Sequence, residues 1–123
     1  MSITNAIEVK NLVKTYGDVY ALKNVDLNIA DGEYFVLLGP SGGGKTTLLR
    51  SIGGFIRPDS GSVDIKGKNV DNLPPDKRPT SMVFQGFALF PHMSVSENIG
   101  YGLKLQSIEK DIIETKVLSL IHI

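Results

Sequence analysis

The segment GPSGGGKT, at residues 39–46, carries the clearest chemical signal in the sequence. The spacing G-x-x-x-x-G-K-[ST], in which a glycine-rich loop leads into a helix, is met by Gly39, Gly44, Lys45 and Thr46. Backbone N–H groups of such a loop converge on an anion at the helix N-terminus. The lysine adds positive charge near the outer phosphates, and the threonine hydroxyl can ligate Mg²⁺. The segment therefore predicts a site for a nucleotide polyphosphate with its Mg²⁺.

The predicted site covers the whole loop and the first turn of the following helix. Consecutive glycines let the main chain approach an anion closely and adopt dihedral angles that other residues disfavour. Thr47 can bind the same anion from the first helical turn. A flexible glycine-rich linker is the plainer interpretation, but the flanking segments have the strand and helix patterns that a phosphate loop requires. The candidate phosphate-binding residues are Gly39, Ser41, Gly42, Gly43, Gly44, Lys45, Thr46 and Thr47.

Two flanking elements must position this loop. The nearly continuous apolar run EYFVLL, at residues 33–38, is typical of a strand buried on both faces of a parallel sheet. After the loop, KTTLLRSIGGF predicts a helix with Leu48, Leu49 and Ile52 on its apolar side. Gly53 and Gly54 are expected to end that helix.

The remaining pattern predicts further short elements. Two alternating segments before residue 31 predict a small antiparallel sheet, with Asp31-Gly32 as the strongest short hairpin signal. A strand with turns on both sides is expected within residues 56–70, then a proline-rich loop and a short strand at residues 81–85. A helix follows, which Ser94 or Ser96 could cap, and Ser94 with Glu97 has the spacing of a capping box. Residues 108–121 have amphipathic helical spacing.

Composition limits the classes of function. The 123 residues suffice for one small domain. Thirteen basic and thirteen acidic residues give no net charge, which argues against nucleic acid as a partner. The absence of cysteine excludes disulfides and thiol catalysis. The sequence has neither a signal-peptide pattern nor a run of 18 apolar residues, so we expect any membrane role to come through a partner. His92 and His122 have no neighbours at metal-ligand spacing.

Taken in order, the motifs resemble those of one known family. An aromatic in KTYG, the phosphate loop, F-x-x-P-D-S-G, VFQ and ALFPHMSV-x-x-N follow one another along the chain. This order resembles the N-terminal half of ABC transporter ATP-binding subunits, over about residues 6–121. The resemblance implies an α/β fold, the ABC-type nucleotide-binding domain of the P-loop NTPases. It would contain the N-terminal antiparallel β subdomain and part of the parallel-sheet core, with residues 1–123 forming the truncated N-terminal part of one domain.

The resemblance also implies roles for individual residues. Tyr16 would stack on adenine, although a tyrosine at a strand end needs no ligand to explain it. Gln85 would reach Mg²⁺ and the attacking water, so Thr46 and Gln85 are the predicted metal contacts. Without the resemblance, Gln85 would be interpreted as a solvated loop residue. Gly86 departs from the Ser or Asn usual in relatives and would loosen this loop slightly. A short cytoplasmic helix of the membrane permease would dock on the region of Phe87, Leu89, Phe90 and Met93, for which core packing is the alternative.

Some family motifs are missing from the sequence. It contains no LSGGQ signature, no apolar strand ending in DEP and no later switch histidine. Because phosphoryl transfer depends on positioned charges, a chain without the water-polarising carboxylate is expected to bind ATP and Mg²⁺ without useful turnover. Lys45 and Gln85 would contribute to a catalytic site that is not complete. Half of the sheet would also expose strand edges, so independent stable folding is not expected.

The resemblance predicts the ATP-binding subunit of an ABC importer, which couples ATP binding and hydrolysis to solute uptake. Its partners would be permease subunits, a second ATPase copy and, indirectly, a solute-binding protein, at the cytoplasmic face of the membrane. RPTSMVFQ and ALFPHMSVSENIGYGLK are most similar to the polyamine type, with iron(III), sugar and sulfate importers open. A non-catalytic nucleotide-binding fragment is the alternative. A kinase or GTPase is disfavoured because the sequence has no NKxD motif.

Overall fold

The computed structural model describes residues 4–121. They divide into two units, residues 4–82 and residues 83–121, and each unit is considered by itself. The first unit contains a four-stranded sheet with the order β2-β1-β3-β4, in which all neighbouring strands are antiparallel. Its elements are β1 (Asn5–Tyr16), β2 (Val19–Ala30), α1 (Lys45–Gly53), β3 (Ser60–Ile65), β4 (Lys68–Asn69) and a 3₁₀ turn (Pro75–Lys77).

The β1–β2 hairpin is the longest part of the sheet. The turn at residues 17–18 connects the two strands, and Tyr16 pairs with Val19 next to it. Alternating apolar residues of the sheet face α1, as the period of two predicts for a half-buried sheet. The predicted antiparallel sheet and the helix are confirmed, with Leu48 and Ile52 on the inner side of the helix. The prediction for Leu49 is wrong, because its side chain points away from the core and is half exposed. The core consists of Val9, Leu12, Leu22, Leu48, Ile52, Val63, Ile65 and Val70.

Two predicted strands are absent from the part of the chain that the structure describes. Residues 33–38 and 81–85 form no strand, and Tyr34 and Leu38 are 93% and 91% exposed. A strand buried on both faces needs hydrogen-bonded neighbours and covering layers, and residues 4–121 contain no parallel strand pair. The prediction of these two strands, and with them of the parallel part of the sheet, is wrong for the described residues.

The predicted hairpin at Asp31-Gly32 is also wrong. The turn itself forms, since the Glu33 amide donates a 3.1 Å hydrogen bond to the Ala30 carbonyl. No strand follows it, however, because residues 33–38 remain unpaired, and the only hairpin turn between β1 and β2 is at residues 17–18. A turn dipeptide fixes the local direction of the chain but supplies no second strand.

The second unit contains two packed helices, α2 (Val95–Leu105) and α3 (Lys110–Ile121). The predicted capping box starts α2: the Glu97 amide donates to Ser94 Oγ at 3.1 Å, and the Ser94 amide donates to Glu97 Oε1 at 3.2 Å. The helices pack closely at Gly100, where an added Cβ would lie 3.0 Å from the Ile113 side chain. Both predicted helices are confirmed. Within residues 4–121, no helix has the length and apolar content that a bilayer span requires.

Candidate functional site

The phosphate loop connects the unpaired residues 33–38 to α1. Its backbone bends at two glycines with positive φ, Gly42 at 82° and Gly44 at 89°. The Gly43 amide donates a 3.1 Å hydrogen bond to the Pro40 carbonyl, which closes a tight turn. No side chain caps the N-terminus of α1, so its first amides lack the partners that a capping residue provides. The loop therefore presents free N–H donors and the positive end of a helix dipole, as an anion site does.

Lys45 lies inside this loop. Its Nζ donates hydrogen bonds of 2.6 Å to the carbonyls of Gly39 and Pro40. No carboxylate within residues 4–121 lies near enough to form an ion pair with it. An entering phosphate would therefore compete for the ammonium with two neutral carbonyls and not with a fixed anion. The arrangement keeps the full positive charge of Lys45 available for a ligand.

The end of the loop rests on β2. A Cβ at Gly44 would overlap the carbonyl oxygen of Ala21 and lie 3.3 Å from Leu22 Cδ2. Ala21 is two residues from Val19, the cross-strand partner of Tyr16, which corresponds to about 7 Å along the strand. The same end of the hairpin thus supports the phosphate loop and carries Tyr16. The Tyr16 side chain is half exposed, with Lys14 Nζ 5.2 Å from its ring centroid.

Asp59 fixes the strand end that carries Tyr16, a role that the sequence did not reveal. Both the amide and the hydroxyl of Thr15 donate to Asp59 Oδ2 at 2.7 Å, and Lys14 Nζ lies 3.8 Å from Oδ1. The hydrogen bond from the Thr15 hydroxyl, with that from its amide, lowers the pKa of Asp59 below its usual value. The aspartate of the P-D-S-G segment therefore stays ionised and holds the backbone next to Tyr16.

The predicted metal contacts have different surroundings. Thr46 is exposed in the first turn of α1, where its hydroxyl is free to ligate a cation beside a bound phosphate. Gln85 belongs to the second unit, where it begins an exposed turn at residues 85–88. Residues 4–121 contain no group of three His, Cys, Asp or Glu side chains that could hold a metal by themselves. The residues present therefore fit Mg²⁺ only as the companion of phosphate oxygens and water. His122 lies outside the described residues.

The predicted docking region is partly exposed. Phe87 and Leu89 are 69% and 65% exposed, in the turn that follows Gln85. Phe90 and Met93 are half-buried, and the Phe90 ring centroid lies 4.7 Å from that of Tyr101 on α2. A partner would therefore meet Phe87 and Leu89 first, whereas Phe90 and Met93 anchor the segment to the second unit.

Asn98 holds this segment in place. Its Oδ1 accepts a 2.9 Å hydrogen bond from the Phe90 amide. Its Nδ2 lies within hydrogen-bonding distance of the carbonyls of Ser94, at 2.9 Å, and of Phe90 and Met93, both at 3.2 Å. The sequence motif ALFPHMSV-x-x-N contains this asparagine but gives no physical reason for it. The structure supplies one, since one side chain satisfies the backbone on both sides of the turn.

Replacing Asn98 with alanine should therefore loosen residues 90–94. We expect the free energy of unfolding of the second unit to fall by about 1–3 kcal/mol, because several backbone groups lose their partner. Hydrogen exchange at the Phe90 amide should accelerate correspondingly. Ser96→Ala, an exposed change on the same helix, is the matched control and should leave that amide unchanged. Equal exchange rates in both variants would contradict the assigned role.

Comparison with known proteins identifies the family. The family model described as ABC transporter matches residues 22–122, which include the phosphate loop and both helices of the second unit. The chain belongs to the ABC transporter family. This ABC chain is 49% identical, over 122 residues, to the spermidine/putrescine import ATP-binding protein PotA of Nitratidesulfovibrio vulgaris; the match covers 97% of the chain and 33% of the relative.

Two further matches support the assignment to this family. The ABC chain is 54% identical to PotA of Roseobacter denitrificans, with 84% of this chain and 28% of the relative covered. The solved ATP-binding cassette MJ0796, a dimer in a post-hydrolysis state bound to ADP and Pi, matches with a TM-score of 0.81 and 34% identity, over 92% of this chain and 54% of that one. The predicted ABC-type fold class and the family are thus confirmed, while the parallel part of the sheet is absent from residues 4–121. The chain spans about a third of the length of the curated relatives it matches.

Proposed function

We propose that this chain is the nucleotide-holding part of an ABC importer ATPase, a protein that uses ATP to drive solute uptake. The observation that carries the proposal is the phosphate loop, in which Lys45 has no ion-pair partner among residues 4–121 and no side chain caps the N-terminus of α1. The names of the curated relatives, which are spermidine/putrescine import ATP-binding proteins, favour polyamines as the transported class. Iron(III), sugar and sulfate are the alternative cargoes.

Each loop residue has a defined part in holding ATP. The amides of Gly42 and of residues 44–47 would donate to the phosphates, and Lys45 would exchange its two carbonyl acceptors for phosphate oxygens. Thr46 would hold Mg²⁺ together with those oxygens. Tyr16, on the hairpin that supports the loop, would cover one face of the adenine. Gln85 would contribute to Mg²⁺ and water in the assembled domain.

Turnover needs groups beyond these. The sequence contains neither the LSGGQ signature nor an apolar strand ending in an acidic pair. Because positioned charges supply most of the catalysis in phosphoryl transfer, we propose that the chain alone binds Mg-ATP with little hydrolysis. In the transporter, the remaining groups would complete the site, including those of a second ATPase copy. The dimeric state of the MJ0796 neighbour supports that assembly.

The exposed apolar turn supports a membrane partner. Phe87 and Leu89 offer a short apolar contact for a cytoplasmic helix of the permease, which would place the chain at the cytoplasmic face of the membrane. A solute-binding protein would take part only through the permease. With no net charge, the chain is poorly suited to bind nucleic acid.

The proposal predicts that Lys45→Ala weakens Mg²⁺-dependent binding of a fluorescent ATP analogue by about 100-fold, since charge-assisted hydrogen bonds to phosphate are lost. Lys68→Ala, an exposed lysine on β4, is the control and should bind as the parent does. Phosphate release should be near the background rate for all three proteins. Equal affinities of the parent and Lys45→Ala would contradict nucleotide binding by this loop. Rapid hydrolysis by the chain alone would contradict the proposal that turnover needs further groups.

A further inference from the structure

Arg78 is a buried cation that the nucleotide site does not use. Its side chain belongs to the first unit and the residue is only 8% exposed. Nε donates to the Leu73 carbonyl at 2.8 Å, and one terminal nitrogen donates to the carbonyls of Ser51 and Ile52 at 3.0 and 3.1 Å. Buried arginines are normally paired with carboxylates. Here, within residues 4–121, no carboxylate lies close enough to form an ion pair, and the guanidinium is held by backbone carbonyls.

Two of these carbonyls belong to the last turn of α1. The final carbonyls of a helix have no intrahelical donor and form the negative end of its dipole. The Gly54 amide lies 3.4 Å from the Ser51 carbonyl oxygen. Arg78 gives both this carbonyl and that of Ile52 a positively charged donor, in a forked geometry that Lys and His cannot reproduce. Gly54, which follows α1, leaves the space for this contact, since a Cβ there would lie 2.7 Å from Arg78 Nε.

The opposite end of α1 is the phosphate loop. The helix has 9 residues, so its two ends are only about 13 Å apart. A helix of this length is not stable by itself, and tertiary contacts must hold it. Leu48 and Ile52 pack one side of α1 into the core, but apolar packing alone permits small shifts along and around the helix axis. The bonds from Arg78 to Ser51 and Ile52 oppose such shifts, because they are directional.

We propose that Arg78 is a positioning residue for nucleotide binding, which acts through the C-terminal end of α1 to fix the phosphate loop at its other end. This inference rests on the proposed function, because its main readout is nucleotide affinity. The third bond, to Leu73, ties α1 to the segment that follows β4. Arg78 therefore makes the position of the loop depend on a part of the chain about thirty residues away.

A neighbouring cavity makes the inference testable by chemical rescue. A cavity of about 270 Å³ adjoins Arg78 and is lined also by Ser51, Arg57, Asp59 and Asp71. Shortening Arg78 to alanine would leave carbonyl acceptors open to this cavity. Free guanidinium could then enter from solvent and occupy the vacated position. Arg57, an exposed arginine on the same cavity, makes none of the bonds to α1 and provides a matched control.

The experiment uses the full chain, with Mg²⁺ and a fluorescent ATP analogue. We expect Arg78→Ala to weaken binding about tenfold or more, Arg78→Lys to weaken it less, and Arg57→Ala to leave it unchanged. Millimolar guanidinium chloride, far below the molar range that unfolds proteins, should restore most of the affinity of Arg78→Ala. Sodium chloride at equal ionic strength should not. Rescue of this kind is a response that a general loss of stability would not give.

The outcomes separate this inference from the proposed function. If Lys45→Ala binds the analogue as the parent does, the proposed function fails, whatever Arg78 does. If Lys45 is required, parent-like affinity in both Arg78 variants overturns the positioning role, and so does a weakened Arg78→Ala that guanidinium does not restore. Should Arg78→Ala fail to fold, Arg78→Lys decides: reduced affinity with an unchanged far-ultraviolet spectrum supports the role, and unchanged affinity overturns it.

Discussion

We expect that replacing Gly44 with alanine abolishes the proposed nucleotide binding and destabilises the first unit. The residue has a φ of 89°, and its added Cβ would overlap the Ala21 carbonyl oxygen on β2. That oxygen belongs to the backbone of β2, so it can move aside only if the strand backbone itself shifts. Positive φ costs about 1–2 kcal/mol for alanine, and the collision adds to it. We expect a loss of about 3–4 kcal/mol of stability and no measurable affinity for the ATP analogue.

Gly42→Ala is the control for this prediction. Gly42 has a similar φ of 82° in the same loop, but an added Cβ there meets no atom within 4 Å. Both variants therefore carry the backbone strain, and only Gly44→Ala carries the collision. Urea unfolding gives the stability difference, and titration with the ATP analogue gives the affinities. If the two variants were equally stable, contact between the loop and β2 would not be what positions the loop.

Signals contained in a few neighbouring residues were sufficient to predict much of this fold. The capping box of Ser94 and Glu97 and the end of α1 at Gly53-Gly54 are local interactions, and the structure contains both. The apolar run at residues 33–38 is a different kind of signal. It reports that the segment is suited to burial, but burial depends on partners elsewhere, and none pairs with it among residues 4–121. An apolar run can therefore be suited to burial and still form no strand.

The same distinction between local and distant interactions applies to the candidate site. The spacing of the phosphate loop located Lys45 and Thr46, because that motif places backbone and side chains within a single turn. The residues that support the site are distant in sequence. Asp59 bonds to Thr15 across 44 residues, and Arg78 reaches Ser51 across 27. The F-x-x-P-D-S-G motif contains Asp59, but no local pattern reveals the role of either residue, since that role depends on contacts formed when the chain folds.

We expect that replacing Gly61 with alanine causes the second large loss of stability. Gly61 lies in β3 opposite an irregularity in β1, where the pairing shifts between Lys10 and Val13. Its φ is 93°, and an added Cβ would overlap the Asn11 carbonyl oxygen and lie 2.6 Å from Leu12 Cα. Leu12 is fully buried in the core, so a shift of either strand away from this contact would open the core. Gly61→Ala should lose about 4–5 kcal/mol, a large part of the 5–15 kcal/mol that stabilises an ordinary domain.

The control for Gly61 is Gly67, in the turn between β3 and β4. Its φ is 77°, and an added Cβ meets nothing within 4 Å, so Gly67→Ala should cost only about 1–2 kcal/mol of backbone strain. The free energies of unfolding of the two variants, measured by thermal or urea unfolding, differ by the cost of the steric overlap at Gly61.

The affinity for the ATP analogue provides a second test, since Asp59, two residues before Gly61, holds the strand end with Tyr16. Gly61→Ala should therefore weaken binding of the ATP analogue even where the protein stays folded, whereas Gly67→Ala should not. Parent-like stability of Gly61→Ala would mean that β1 and β3 do not approach each other as closely as the structure shows.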